Sequence, residues 1–233
     1  MIPLKDNLPT RHVPMVTLVL IGVNAYAFFK LFWLGSYAGQ RYIMYYGLIP
    51  CSVTGHCQVT GRAFSPEVTL LTSMFVHAGF FHLAGNMVYL WIFGNNVEDA
   101  MGKVRFVVFY LVCGLGAACT QILVGPDSRI PMVGASGAVS GVLGAYLLLF
   151  PHARVLTLIP IFFFVQLVEI RAVVVLGFWI VIQLLNGLLT FSHDGGGVAW
   201  FAHIGGFAAG CILIGFFKRR TVPWGWRRYR SFR

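Results

Sequence analysis

Charge is what this chain has least of: only 10% of its 233 residues are Asp, Glu, Lys or Arg, where soluble proteins carry about 25%. An ordinary water-soluble domain is thereby excluded. Acids are scarcer still, with seven in all, and no apolar run holds the pair of aspartates that a two-carboxylate mechanism needs. There is no H-E-x-x-H segment, which removes that helical zinc-hydrolase pattern. No repeat of fixed period, low-complexity tract or break in composition marks a solenoid or a second domain. No cleavable leader is expected, because the first apolar run is too long for a signal-peptide core and has no clear small-residue cleavage site. It reads as a retained signal anchor.

What the chain has instead is apolar length. Hydrophobic residues make up 58% of it, and stretches near the roughly 20 residues that a spanning helix needs fall at 14–34, 73–97, 104–124, 133–150, 172–191 and 198–217. The expected fold is an all-α polytopic membrane protein of six transmembrane helices. Residues 1–13 form an amino-terminal tail, 14–217 the membrane domain with a long external first loop at 35–72, and 218–233 a basic tail. Segment 155–168 is apolar but short and flanked or broken by Pro151 and Pro160; it reads as an interfacial or re-entrant connection, with a seventh span left open.

Cations set the orientation, since short loops rich in Lys and Arg stay in the cytoplasm. Lys218, Arg219, Arg220, Arg227, Arg228, Arg230 and Arg233 crowd the carboxy-terminal tail. Both termini are therefore expected in the cytoplasm, with Lys5, Arg11, Lys103, Arg105, Arg154 and Arg171 on the same side, in a prokaryotic cell membrane. The basic tail, with Trp224, Trp226 and Tyr229, suits anionic lipid headgroups better than nucleic acid, because it follows directly on a membrane helix. No nucleic-acid partner and no cofactor are expected.

The five cysteines divide by location. Cys113, Cys119 and Cys211 fall in apolar segments as small packing residues. Cys51 and Cys57, six apart in the external loop, are spaced for a disulfide in an oxidising compartment, although the spacing suits two free thiols equally well. With His56 they supply only three ligands, too few for a structural zinc, so no metal is expected.

Polar residues inside apolar segments carry the functional signal, because each is costly in hydrocarbon. The second segment holds His82 and Asn86, which an i, i+4 spacing puts on one helix face. The fourth opens with Ser136 among glycines, and the sixth with His203. All three segments run from outside to inside, so His82, Ser136 and His203 share one depth near the outer boundary. A serine is a weak nucleophile without a base in reach, and the pairs Gly137/Gly141 and Gly206/Gly210 have the small-xxx-small spacing that brings two helices close. Ser136 at a helix start adds the free N–H groups of Ser136 and Gly137 for an oxyanion, with His82 and Asn86 as further donors.

Each element alone is ordinary: a serine among glycines is commonly packing, a lone histidine is commonly a satisfied core residue, and His82 with Asn86 could be an interhelical pair. Their coincidence at one depth outweighs those readings. No acid faces the site, Asp127 and Asp194 both lying in loops, so a Ser-His dyad is expected rather than a triad. His77 precedes His82 by five, off the same face, and is expected at the membrane interface.

The segments Gly134-Ala135-Ser136-Gly137 with Gly141, Ala202-His203 with Gly206 and Gly210, and His82 with Asn86, Gly94 and Glu98 resemble the rhomboid intramembrane serine proteases over residues 66–216. That resemblance implies a six-helix core, Ser136 as nucleophile, His203 as base, His82 and Asn86 assisting the oxyanion, and transmembrane proteins as substrates, cut near their outer membrane boundary. Two features depart from the family pattern: the first loop has no Trp-Arg pair, and Ser140 stands where many members have an aromatic residue. Two rival functions are an inactive rhomboid-like protein that binds membrane clients, which would normally lose the serine or histidine, and a small transporter, which predicts charged or repeated pathway residues in two halves.

Overall fold

The computed structural model describes residues 1–62, 64–161, 164–190 and 198–225. His193, Asp194 and the tail residues from Trp226 onward, on which some of the expectations above rest, lie outside the described residues. The chain begins with strand β1 (Ile2–Asp6), then α1 (Met15–Trp33), α2 (Gly35–Tyr46) and the single turn α3 (Pro50–Val53). A 3-10 turn (Pro66–Val68), α4 (Thr69–Thr72) and a second 3-10 turn (Ser73–Phe75) lead to a long helix made of α5 (Phe80–Tyr89), a π turn (Leu90–Gly94) and α6 (Asn95–Met101). Helices α7 (Lys103–Val124) and α8 (Ser136–Leu149) follow, then strands β2 (Arg154–Ile161) and β3 (Phe164–Arg171), and helices α9 (Ala172–Thr190) and α10 (Trp200–Phe217).

By length and composition α1, α7, α9 and α10 can cross a membrane, and Pro66–Phe75 with Phe80–Met101, bent by 78° at the break, counts as a fifth if the two pieces cross together. Their outer faces are apolar, as a lipid boundary requires: Leu18, Val19, Phe29 and Phe32 on α1 and Val174, Phe178, Leu185 and Leu188 on α9 are all exposed. The sixth element, α8, has only 14 residues. At 1.5 Å per residue it covers about 21 Å of a hydrocarbon layer about 30 Å thick. It can be short because it is central: Ala138 through Tyr146 are buried without a break.

Segment 155–168 is neither a re-entrant connection nor a seventh helix. It forms a β-hairpin, Arg154 opposite Arg171 and Ile161 opposite Phe164, and β1 pairs antiparallel to the other edge of β2, Ile2 opposite Leu158 and Asp6 opposite Val155. The sheet order is β1-β2-β3. Pro160 fits because β1 reaches only residues 155–158, so beyond them β2 has an open edge where a missing N–H costs nothing. The amino-terminal tail is thus partly strand, and the helical bundle carries a small sheet at the end away from Ser136.

Acids hold that end together. Helix α1 starts after Pro14 with no cap from its own side chains, and the carboxylate of Glu98 accepts from Val16 N (3.0 Å), Thr17 N (2.8 Å) and Thr17 Oγ1 (2.8 Å). A negative group therefore meets the positive end of the helix and satisfies its unpaired donors. Asp99 accepts from Arg11 N and lies 2.8 Å from His12 Nδ1. Asp6, buried in β1, accepts from Tyr146 OH at 2.5 Å and Asn96 Nδ2 at 2.7 Å, tying the sheet to α8 and α6.

At the opposite end, the first loop lacks a Trp-Arg pair but is held by Arg62, whose guanidinium donates to Met44 O at 2.7 Å and Gly47 O at 3.0 Å where α2 ends. Cys51 and Cys57 are joined as a disulfide, and Cys51 N donates to Ser128 O at 3.0 Å, linking this loop to the one before α8.

Burial pushes the Asp6 carboxyl from 3.8 up to about 6, against the lowering effect of the Tyr146 hydroxyl. The folded protein therefore binds this proton more tightly than the unfolded chain does. The stabilising contribution is complete below about pH 4 and is lost as pH rises to about 6, an effect of at most about 3 kcal/mol. Asp6→Asn, which cannot ionise, is expected to lack that step and to melt above wild type at pH 7–8, with the gap closing toward pH 4. Thermal melts in detergent across this range check it; identical pH profiles for the two proteins would refute the assignment.

Candidate functional site

The site is built where α8 begins. Gly134 has a φ of +121°, which a side chain rarely tolerates, and its N–H donates to Ser73 O at 2.9 Å. A Cβ there would also lie 2.7 Å from the His82 ring, so only glycine lets the imidazole lie against this backbone. Ala135 N points at His77 Nε2, 3.4 Å away, and Ser136 follows as the first residue of α8.

Helix α10 brings His203 to it. Between the two helices the backbones touch: a Cβ on Gly206 would fall on the Gly137 carbonyl, one on Gly210 on the Gly141 carbonyl, and one on Gly144 on the Phe207 carbonyl. Gly141 also faces Cys113 of α7. The small residues at 137, 141, 206 and 210 are the helix-packing positions expected from their spacing, and Gly144 extends the row. The crossing leaves His203 Nε2 2.8 Å from Ser136 Oγ. The other ring nitrogen, Nδ1, lies 2.8 Å from Gln183 Oε1 on α9, and Gln183 Nε2 in turn donates to Trp179 O at 3.0 Å. The ring itself sits beside Trp179 (centroids 5.9 Å apart, 37° between planes) and Trp200 (6.2 Å, edge-on).

His82 and Asn86 project from α5 toward the same point, both against Gly134. Asn86 Nδ2 is buried and has no acceptor among the described residues. It lies 3.6 Å from the Cβ position of Gly134, two residues before Ser136, so an unpaired donor is held near the start of α8. The four residues line one cleft of about 1260 Å³, with Gln121, Trp179 and the loop from Gly125 to Val133.

Some participants were not anticipated. Gln183 and Trp179 contact the imidazole, and a polar residue within an apolar helix was the available signal for Gln183. His77 is buried rather than interfacial and packs edge-on to His82, ring centroids 5.1 Å apart. Helical spacing misplaces it because residues 76–79 are not helical. Ser140, where an aromatic is common, donates back to Ser136 O at 2.6 Å. Asp127 is turned away from the cleft chemistry, its carboxylate 2.5 Å from His56 Nδ1.

A helical membrane protein with a serine and a histidine hydrogen-bonded across two helices is the class that fold and site define. A Rhomboid domain matches residues 66–220, two thirds of the chain, and the protein belongs to the rhomboid family. It is 35% identical to RHOMBOID-like protein 6, mitochondrial, of Arabidopsis thaliana over 70% of this chain and 47% of that protein. It is 33% identical to Rhomboid protease GluP of Bacillus subtilis over 60% of this chain and 24% of that protein. To the Presenilin-associated rhomboid-like protein, mitochondrial, of Mus musculus it is 29% identical over 62% of this chain and 37% of that protein. The chain thus spans less than half the length of these relatives.

The crossing of α8 and α10 sets a test. Gly206→Val is expected to lower the thermal midpoint by several degrees and to abolish reaction of Ser136 with a fluorophosphonate, because its side chain displaces the Gly137 backbone. Gly177→Ala, on α9 with nothing within 4 Å of the new methyl, should leave stability equal or raise it by up to about 1 kcal/mol. Ser140→Ala, which loses one bond within its own helix, should keep its labelling. Full labelling of Gly206→Val alongside an unreactive Ser140→Ala would reverse this account.

Proposed function

We propose that this protein is an intramembrane serine endopeptidase that cuts transmembrane proteins near the outer membrane boundary. The observation that carries the reading is the 2.8 Å contact between Ser136 Oγ and His203 Nε2 at the start of a short, enclosed helix. Membership of the rhomboid family, and a bacterial relative named as a protease, support it. The retained serine and histidine weigh against a client-binding protein without activity.

The steps follow from the geometry. His203 Nε2 takes the hydroxyl proton as Ser136 Oγ attacks the substrate carbonyl carbon, and the carbonyl oxygen becomes an oxyanion. Asn86 Nδ2, His82 and the N–H groups of Ser136 and Gly137 stabilise that charge, helped by the positive end of α8. The imidazolium returns its proton to the leaving amine as the peptide C–N bond breaks, which leaves an acyl ester on Ser136. Water, deprotonated by His203, then attacks the ester carbon and frees Ser136. The chemistry needs no cofactor.

The clustering of Lys5, Arg11, Lys103, Arg105, Arg154, Arg171 and Lys218 toward the sheet end supports a cytoplasmic placement of that end, with Ser136 toward the outer face. On this reading 1–13 and 218–233 are cytoplasmic, 14–217 is the protease domain, and the basic tail rests on anionic headgroups. The relatives come from organelles as well as from a bacterium, so they do not single out a prokaryotic cell membrane. The outer side is the oxidising one that the Cys51–Cys57 disulfide requires.

Purified protein incubated with a panel of transmembrane substrates is expected to cleave at least one, and Ser136→Ala and His203→Ala should each abolish cleavage with the melting midpoint nearly unchanged. The double variant should be no worse than either single one, because the pair acts as a unit. Substantial cleavage by either single variant would end the proposal. Asn86→Ala should lose roughly 10–100-fold in rate, less than removal of a sole oxyanion donor, since backbone N–H groups share the charge. Unchanged turnover in both His82→Ala and Asn86→Ala would make that pair structural.

A further inference from the structure

We propose that Gln183 is the positioning residue of the site, an amide that fixes the tautomer and orientation of His203. This inference rests on the reading of Ser136 and His203 as nucleophile and base.

Gln183 lies within the apolar helix α9 and is 5% exposed. A polar side chain in such a place is costly unless its groups are bonded. Both ends are. The Trp179 carbonyl can only accept, so the Gln183 NH₂ must face it, 3.0 Å away. That leaves Oε1, an acceptor, toward His203 Nδ1 at 2.8 Å. An acceptor there requires the proton on Nδ1. Neutral imidazole carries one proton, so Nε2 is left with its lone pair directed at Ser136 Oγ, 2.8 Å away. The chain of logic starts from one backbone carbonyl and ends on the nucleophile. If the ring took the other tautomer, Nδ1 and Gln183 Oε1 would face each other as two acceptors, and Ser136 would face an N–H that cannot take its proton.

Helix α9 is shaped to deliver this group. Trp179 and Gln183, four apart, lie on one face; the first flanks the imidazole ring while the second holds its edge. One turn further, Gly187 has no side chain where Trp200, Phe201 and Ile204 of α10 come within 3.4–3.6 Å of a Cβ position, which lets α9 approach the turn carrying His203. With Ser140 bonded to its own helix, restraint of the base comes from α9 rather than from α8.

The amide also suits the surroundings. The groups acting on His203 are Ser136 from α8, Gln183 and Trp179 from α9, Trp200 from its own helix and, electrostatically, His82 from α5. Among the described residues, none of these groups is a carboxylate. A buried carboxylate would have to be desolvated with no cation beside it, whereas an amide orients the ring at no cost in charge.

Two variants separate positioning from packing. Gln183→Leu keeps the volume and removes the acceptor; kcat is expected to fall roughly 10–100-fold with KM within about threefold, a milder loss than that of a triad carboxylate. Gln183→Glu keeps an acceptor at the same reach but buries a charge. It should melt below Gln183→Leu yet cleave faster, with the acidic limb of its pH–rate profile moved to higher pH. A purely structural role predicts the opposite, activity following stability. The ¹⁵N resonances of the His203 side chain give a second readout: Nδ1–H in wild type, and a mixture of tautomers in Gln183→Leu, even where Gln183→Glu fails to fold. Wild-type kcat in Gln183→Leu, or an unchanged ¹⁵N spectrum, would overturn the role of Gln183. If Ser136→Ala is inactive in the same assay, the Ser-His reading survives that result. If Ser136→Ala cleaves, that reading fails first.

Discussion

The close crossing of α8 and α10 is the constraint on which the rest depends. At Gly137, Gly141, Gly144, Gly206 and Gly210 main chain meets main chain, and no side chain fits between. In lipid no hydrophobic effect drives helices together, so dispersion across such a seam must do so, and it falls off steeply with separation. The same few ångströms that maximise packing bring Ser136 Oγ within 2.8 Å of His203 Nε2. Stability and chemistry are thus set by one distance, and neither can be relaxed without the other.

Much of the site was legible because hydrocarbon makes polar residues conspicuous. Ser136, His203, His82 and Asn86 stand out in apolar runs, and alternating spans put them at one depth. Gln183 obeys the same rule and was passed over because the search for a third member considered only carboxylates. His77 was misplaced because its distance from His82 was measured along a helix that does not begin until Phe80. The sheet left no local trace: β2 is apolar on both faces, carries Pro160, and pairs with a strand about 150 residues earlier. Periodicity reports on local structure and is silent about such a partner.

Charged and neutral groups do different work in this molecule. Glu98, Asp99 and Asp6 bind donors at the sheet end, capping α1 and tying β1 to α8 and α6, whereas the cleft at the other end works with neutral groups: a hydroxyl, imidazoles and amides. Those groups can be buried at modest cost when each is bonded. The separation follows from the physics of the two places. Glu98 and Asp6 are buried but surrounded by donors, whereas an amide orients the imidazole in the cleft without a charge to desolvate.

The amino-terminal segment shows what this arrangement asks of biosynthesis. Every group that seats residues 2–17 lies far downstream: Glu98 for the first turn of α1, Tyr146 for Asp6, and residues 155–158 for β1. At about 5–20 residues per second a ribosome needs on the order of ten seconds to make the last of these after the first is finished. During that interval α1 is in place without its cap and β1 is a strand without a neighbour. The segment that is translated early is therefore ordered late, and its docking reports that α6, α8 and β2 have been made and brought together.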